Sequence, residues 1–246
     1  MHSPQMRAQA RALRARGHTI HAVARTLSLP YATVRHWCVD RPAPAKPGSE
    51  PQCFRCRPDV ENPTDPAAYA YLLGRYLGGG QLTVAPQVPV LRIASRPPLA
   101  DACEVAMRAV LPARVRRLAQ QGRVSVESSG RHWPCLLPQH GPDQRHHRPI
   151  ILTEWQRSML ERHPGDLLRG LFHSAGRRSA NRVTVRGRAY VYPRYLFGNE
   201  STDVMRLCQW SLDLLGVAWR MSRHDSLSVA RRGAVAELDR HVGPRS

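Results

Sequence analysis

Lysine is almost missing from this chain. Lys46 is the single lysine among 37 basic residues, and Asp and Glu together number only 18, which leaves a formal charge of +19. So few acids exclude a cationic partner and point to a polyanion. Codon bias in a GC-rich genome explains arginine in place of lysine, and it fits the many alanines and prolines. It does not explain why acids are so outnumbered. Arginine also suits a nucleic acid, because its planar fork binds phosphate and guanine edges bidentately. Long apolar runs are absent too: no stretch approaches the roughly 18 residues a membrane span needs. The N-terminus, with Arg7, Arg11, Arg14 and Arg16, has no apolar signal core. The six cysteines are scattered apart from Cys53 and Cys56. We therefore expect a reduced, cytoplasmic protein associated with the nucleoid.

What is present begins with residues 4 to 39, which read as three short helices. Met6, Ala10 and Leu13 share one helical face, and Gly17 ends that run. Thr19 is placed to cap the next helix, where Ile20, Val23, Ala24 and Leu27 follow an i, i+3, i+4, i+7 stripe. Ser28-Leu29-Pro30 makes a turn, and Pro30 suits a helix start. Val34 and Trp37 of the third helix are expected to face inward. The pattern resembles the helix-turn-helix of resolvase-type bacterial DNA-binding domains; a generic three-helix bundle is the competing reading. The resemblance implies that the last helix enters a major groove. It would present Tyr31, Thr33, Arg35 and His36, with Arg35 reaching guanine and Tyr31 and Thr33 fixing phosphates.

Residues 42–66 read as a proline-rich linker between a domain at 1–41 and one at 67–246. Cys53-Phe54-Arg55-Cys56 lies inside it. A CxxC is half of a zinc site, with Cys38 and a histidine as the further ligands considered. Because a closed site needs four ligands, the sequence favours unliganded thiols. His132, Cys135, His140, His146 and His147 have no standard metal-ligand spacing, so surface or phosphate-contacting histidines are favoured there.

The most informative stretches are Tyr71-Leu-Leu-Gly-Arg-Tyr-Leu-Gly-Gly-Gly80 and Leu167-Leu-Arg-Gly-Leu-Phe-His-Ser-Ala-Gly176. Each is an apolar helical run with small residues four apart: Gly74 and Gly78 in one, Gly170 and Ser174 in the other. Each ends in glycine before a strand-like segment. Small residues at that spacing let two helix backbones approach closely. Together with the segments downstream, Tyr195 to Asp203, Val204 to Leu215, Gly216 to Trp219 and Ser226 to Val242, the runs resemble the LAGLIDADG homing endonucleases over roughly residues 67 to 243.

The resemblance implies an α+β fold. After the N-terminal three-helix unit would come a pseudo-twofold domain, with two antiparallel sheets on two central motif helices at about 69–79 and 166–175. It implies that the sheets read duplex DNA. Arg182, Thr184 and Arg186, which alternate with Val183 and Val185, and Arg92, between Leu91 and Ile93, are the candidate contacts. It also exposes a departure. The family carries a cation-binding acid just before the last glycine of each motif, and here Gly79 and Ala175 stand there. Neither can hold a metal, and cleavage by metal-assisted hydrolysis needs carboxylates.

The expectation is a monomeric, sequence-specific double-stranded DNA-binding protein, a transcriptional regulator without cleavage. Regulators of actinobacteria that join the two modules in the opposite order are its analogue. No cofactor is certain. Zinc is a candidate at Cys53 and Cys56, and magnesium enters only if the chain is a nuclease with unusual ligands such as Glu127 or Glu154. An RNA-binding, maturase-like role is the other alternative.

Overall fold

The computed structural model describes residues 4–39, 53–56, 63–84, 88–120, 122–141 and 148–243. The chain divides into two units, Met1–Pro51 and Gln52–Ser246. The cysteine pair expected in the linker therefore falls in the second unit.

The first unit holds α1 (Pro4–Ala15), α2 (Ile20–Thr26) and α3 (Tyr31–Val39). Thr19 caps α2, its Oγ1 accepting from the Ala22 amide at 3.2 Å. The chain turns through Ser28, whose φ is 52°, and the Leu29 amide donates to the Ala24 carbonyl at 2.9 Å. The three helices close on Ala10, Val23, Ala24, Val34 and Trp37. The Arg11 guanidinium ties α1 to α3 by donating to the Trp37 carbonyl at 3.0 Å.

In the second unit one pattern occurs twice. Helix α4 (Pro66–Gly79) runs into β1 (Gly80–Thr83), followed by β2 (Val90–Ser95), α5 (Pro97–Val110), β3 (Val115–Gln120) and β4 (Arg123–Ser129). After the short α6 (Trp133–Leu136) and α7 (Glu154–Arg162), α8 (Pro164–Ala175) runs into β5 (Gly176–Val185). Then come β6 (Arg188–Gly198), α9 (Thr202–Leu214), β7 (Arg220–Arg223), β8 (Ser226–Val229) and α10 (Arg232–Val242). The sheets have matching orders, β1-β2-β4-β3 and β5-β6-β8-β7, and every pairing is antiparallel. The fold class is α+β, with two four-stranded sheets.

Helices α4 and α8 form the spine, and their contact depends on the small residues. A Cβ on Gly74 would run into the Leu167 carbonyl oxygen and lie 2.8 Å from the Leu171 nitrogen; one on Gly78 would lie 2.5 Å from the Ser174 Cβ. Leucines and aromatics of both helices fill the surrounding core, among them Leu72, Leu73, Leu77, Leu168, Leu171 and Phe172.

The second sheet departs from expectation at Arg186. Its first strand, β5, begins at Gly176, paired with Phe197 as soon as α8 ends. Its turn falls at Arg186 and Gly187, with φ of 50° and 77°. Two successive positive φ values are those of the tight hairpin turn that matches strand twist. Arg186 is therefore a turn residue, where alternation with Thr184 had placed it on a strand.

Candidate nucleic-acid interface

Alternation along each strand decides which side chains face away from the helices. In β6, Tyr195 and Phe197 are fully buried in the core. Arg194 and Leu196 consequently point to the outer face, and so do Tyr190 and Tyr192. Residues paired across an antiparallel ladder share a face. Arg177 pairs with Leu196, Ser179 with Arg194, and Asn181 with Tyr192, so these β5 residues join the outer set. In β2 the buried Leu91 and Ile93 place Arg92 on the outer face of the first sheet, beside Gln81, Glu127 and Arg116.

The two outer faces meet at the end of α8. A pocket there is lined by Ala94, Ser95, Arg96 and Arg123 from the first half, by His173 to Gly176, and by Arg177, Leu196, Gly198 and Ser226 from the second. Among the described residues its lining has three arginines and no carboxylate. Beside it a second hollow is lined by residues that include Arg177, Arg194 and Arg223, with Glu200 and Asp225. Of the two motif-end positions, Gly79 is exposed and Ala175 half-buried. A Cβ on Gly79 would meet only the Ser174 Cβ, at 3.8 Å. A Cβ at that position is therefore in ordinary contact with its surroundings.

Beneath the pocket lies a buried cation. Arg75 of α4 is fully buried. Its Nη1 donates to the His173 carbonyl at 2.8 Å, and its Nη2 reaches the Ala94 carbonyl at 3.4 Å and the Ser95 hydroxyl. These partners are neutral acceptors, so its charge is not cancelled by them. His173 is held between the Tyr71 hydroxyl, 3.2 Å from Nδ1, and the Val242 carbonyl, 3.0 Å from Nε2. A carbonyl only accepts, so Nε2 carries a proton toward Val242. The imidazole thus braces α8 against α4 and α10.

Glu127 is the acid of the first outer face, and it is occupied. Its Oε1 accepts from Arg92 at 2.9 Å and its Oε2 from Arg116 at 2.8 Å. Burial alone would raise its carboxyl, but the Arg116 and Arg92 guanidiniums hold it below the usual range. Glu154 is exposed at the start of α7.

The other expected contacts are placed as follows. Arg182 and Thr184 share the parity of Arg178, whose side chain is bound to Asp239 of α10 at 2.9 Å; they sit on the side opposite the pocket, on an arm that is exposed there. Tyr31 is exposed and stacks on His21 with ring centroids 4.3 Å apart. Thr33 is half-buried and Arg35 exposed; the side chain of His36 lies outside the described residues. Sequence reading missed Arg96, Arg123, Arg177 and Arg194. The signal that could have found Arg177 is its place one residue past the last motif glycine, at the start of a strand.

Cys53 and Cys56 do not have Cys38 as a neighbour within their unit. Cys38 lies in the first unit, its thiol 3.6 Å from the Ala10 carbonyl. Beside the pair stand His132 and Cys135.

No family model matches the chain, and no curated protein does. Solved structures do. The homing endonuclease I-DmoI in complex with DNA and manganese is similar at 14% identity over 74% of this chain and 99% of that one, with a TM-score of 0.46. The N-terminal LAGLIDADG domain of WhiA is similar at 13% identity over 73% of this chain and 84% of that one, with a TM-score of 0.47. A variant of I-SmaMI is similar at 10% identity over 75% and 86%, with a TM-score of 0.46. The unit from Gln52 onward itself holds two four-stranded antiparallel sheets and a central helix pair.

Proposed function

We propose that the chain is a sequence-specific double-stranded DNA-binding protein that does not cut its target, and that it serves as a transcriptional regulator. One observation carries this reading. The outer faces of both sheets carry arginine, and where they meet, at the end of α8, Arg96, Arg123 and Arg177 line the pocket with Ala175, with no carboxylate among the described residues lining it. Guanidinium groups bind phosphate oxygens and hold them. They cannot gather the cations that metal-assisted hydrolysis requires. The guanidinium of Arg75, held below the pocket by neutral acceptors, adds to the attraction.

The sheets would lie along a major groove. Asn181, with its donor and acceptor, and the arginines of the outer face would meet base edges. Arg182 and Thr184, exposed on the opposite side of the β5–β6 arm, and Arg186 in its turn would meet DNA only where the DNA backbone wraps past the arm. The N-terminal unit would act as a helix-turn-helix through Tyr31, Arg35 and Thr33. One chain supplies both halves of the face, so we read it as working as a monomer, in the cytoplasm at the nucleoid. The nuclease reading fares worse, because both oxygens of Glu127 are already taken by Arg92 and Arg116.

Selection from a random duplex library at ~0.15 M salt, where purely electrostatic binding is weakened, tests the reading. The expected result is a long asymmetric consensus, with the recovered DNA intact after incubation with Mg²⁺ or Mn²⁺. Nicking of supercoiled plasmid that persists through purification would sink the no-cleavage claim. Preference for structured RNA over duplex at equal phosphate would replace DNA by RNA as the partner.

A further inference from the structure

The four residues Cys53, Cys56, His132 and Cys135 play no part in the face described above. Their ligand atoms all lie within 4.8 Å of one another. Cys56 Sγ is 3.3 Å from His132 Nδ1 and 4.0 Å from Cys135 Sγ. A tetrahedral zinc ion with Zn–S near 2.3 Å and Zn–N near 2.0–2.1 Å has S···S edges of about 3.8 Å and S···N edges of about 3.6 Å. The S···N edge of 3.3 Å and the S···S edge of 4.0 Å each lie within about 0.3 Å of those values. A Cys56–Cys135 disulfide would need sulfurs about 2.05 Å apart, and it would leave Cys53 and His132 without a purpose in the cluster.

We propose that Cys53, Cys56, His132 and Cys135 bind one zinc ion in a closed structural site. The local structure prepares the ligands in two pairs. Cys53 and Cys56 flank a single 3-10 turn closed by the Cys56 amide donating to the Cys53 carbonyl at 2.9 Å, so the i, i+3 spacing puts both thiols on one side. His132 and Cys135 repeat that spacing at the start of α6, where the Leu136 amide donates to the His132 carbonyl at 3.1 Å. Each pair has its own buried anchor. Phe54 packs edge-on against Trp155 with centroids 5.0 Å apart, and Trp133 is fully buried with its indole N–H donating to Ser128 Oγ at 3.3 Å. Neither anchor is itself a metal ligand.

Three thiolates and an imidazole in tetrahedral reach select zinc over harder cations. Thiolates outnumber the ion's charge by one, and Arg55 and Arg131, adjacent to ligands in sequence, are suited to that excess. All four positions are filled by protein, so no water is left to activate, and the site holds structure rather than performing hydrolysis. What it holds is the beginning of the second unit: it fastens 53–56 to the segment that follows β4. The proposal does not depend on DNA binding.

The test uses the full-length chain, reduced, without an affinity tag that binds metal. Mass-spectrometric metal analysis should find about one zinc per chain, and less than about a tenth of that in Cys53→Ser or Cys135→Ser. Cys38→Ser, in the other unit, should keep the full content. Because a serine variant could misfold, cobalt is titrated into the zinc-stripped wild type. Intense sulfur-to-cobalt charge-transfer bands with a tetrahedral ligand-field pattern are expected, abolished by one equivalent of zinc. Absence of both zinc and the tetrahedral cobalt spectrum, iron in place of zinc, zinc retained by Cys135→Ser, or a stoichiometric Cys56–Cys135 disulfide in peptide maps would each overturn the assignment.

Discussion

Gly74 and Gly170 face each other so closely that a Cβ on Gly170 would lie 2.9 Å from the Gly74 Cα and 2.9 Å from the Arg75 nitrogen. The obstacles are backbone atoms, which cannot turn aside as a side chain could. Gly74→Ala or Gly170→Ala must therefore separate α4 from α8, at a cost of about 3 kcal/mol or more. Gly79→Ala, with only the Ser174 Cβ at 3.8 Å, should be neutral or slightly stabilising, since alanine is the better helix former. Thermal unfolding checks this: a fall of several degrees is expected for the first two and none for the third. Equal behaviour of all three would show that the helices do not pack as described.

A second prediction concerns the next contact along the same seam. Gly78→Ala is blocked by the Ser174 side chain, its Cβ 2.5 Å away, rather than by backbone. The combination with Ser174→Gly removes the obstacle. The double variant should recover most of the stability that Gly78→Ala loses, with a coupling of about 1 kcal/mol or more in a double-mutant cycle. Additive losses would deny the contact.

Much of this seam was legible in the sequence, because small residues four apart state a periodicity and a size at once. The helix pair and the doubled order of elements followed from Gly74, Gly78, Gly170 and Ser174. The second sheet was harder to read. Val183 and Val185 looked like the buried face, yet Val183 is 38% exposed, because the β5–β6 arm runs on beyond the β8 pairing and burial no longer follows hydrophobicity. Which of Arg177 and Arg178 faces outward is fixed by the burial of Tyr195 and Phe197 on β6, which pair with Arg178 and Gly176. The Cys53, Cys56, His132, Cys135 cluster escaped for a similar reason: its two halves are 76 positions apart, and only folding brings them together.

Acid should unfold the second unit early. Burial alone would raise the Asp239 carboxyl, but Arg178 and the Tyr195 hydroxyl hold it below its ordinary range; Glu127 is likewise lowered by Arg116 and Arg92. In both cases the folded state binds protons less readily than the unfolded one. Their stabilisation is therefore complete above the unfolded values near pH 4 and is lost as pH falls through the lower folded values. Urea midpoints measured between pH 6 and 2 by near-ultraviolet dichroism should drop on the acid side, and Asp239→Asn should flatten that drop. A midpoint that rose on acidification would contradict the ion pairs.

Neighbouring arginines offer the sharpest test of the DNA-facing surface. Arg177 and Arg178 are adjacent in sequence and carry the same charge, so they contribute equally to any nonspecific attraction at long range. They differ in where the strand points them: Arg177 lines the pocket between the sheets, whereas Arg178 is bound to Asp239. Arg177→Ala should weaken duplex binding about fivefold or more and reduce the slope of log affinity against log salt by about 0.9, one phosphate contact. Arg178→Ala should leave binding within about twofold, the difference expected of a charge that touches no phosphate, while lowering the unfolding temperature because Asp239 loses its partner. Fluorescence anisotropy on the selected duplex, across a salt series, reads both. Equal losses would mean that only net charge matters, and a larger loss for Arg178→Ala would turn the molecule over and put its helix side against the DNA.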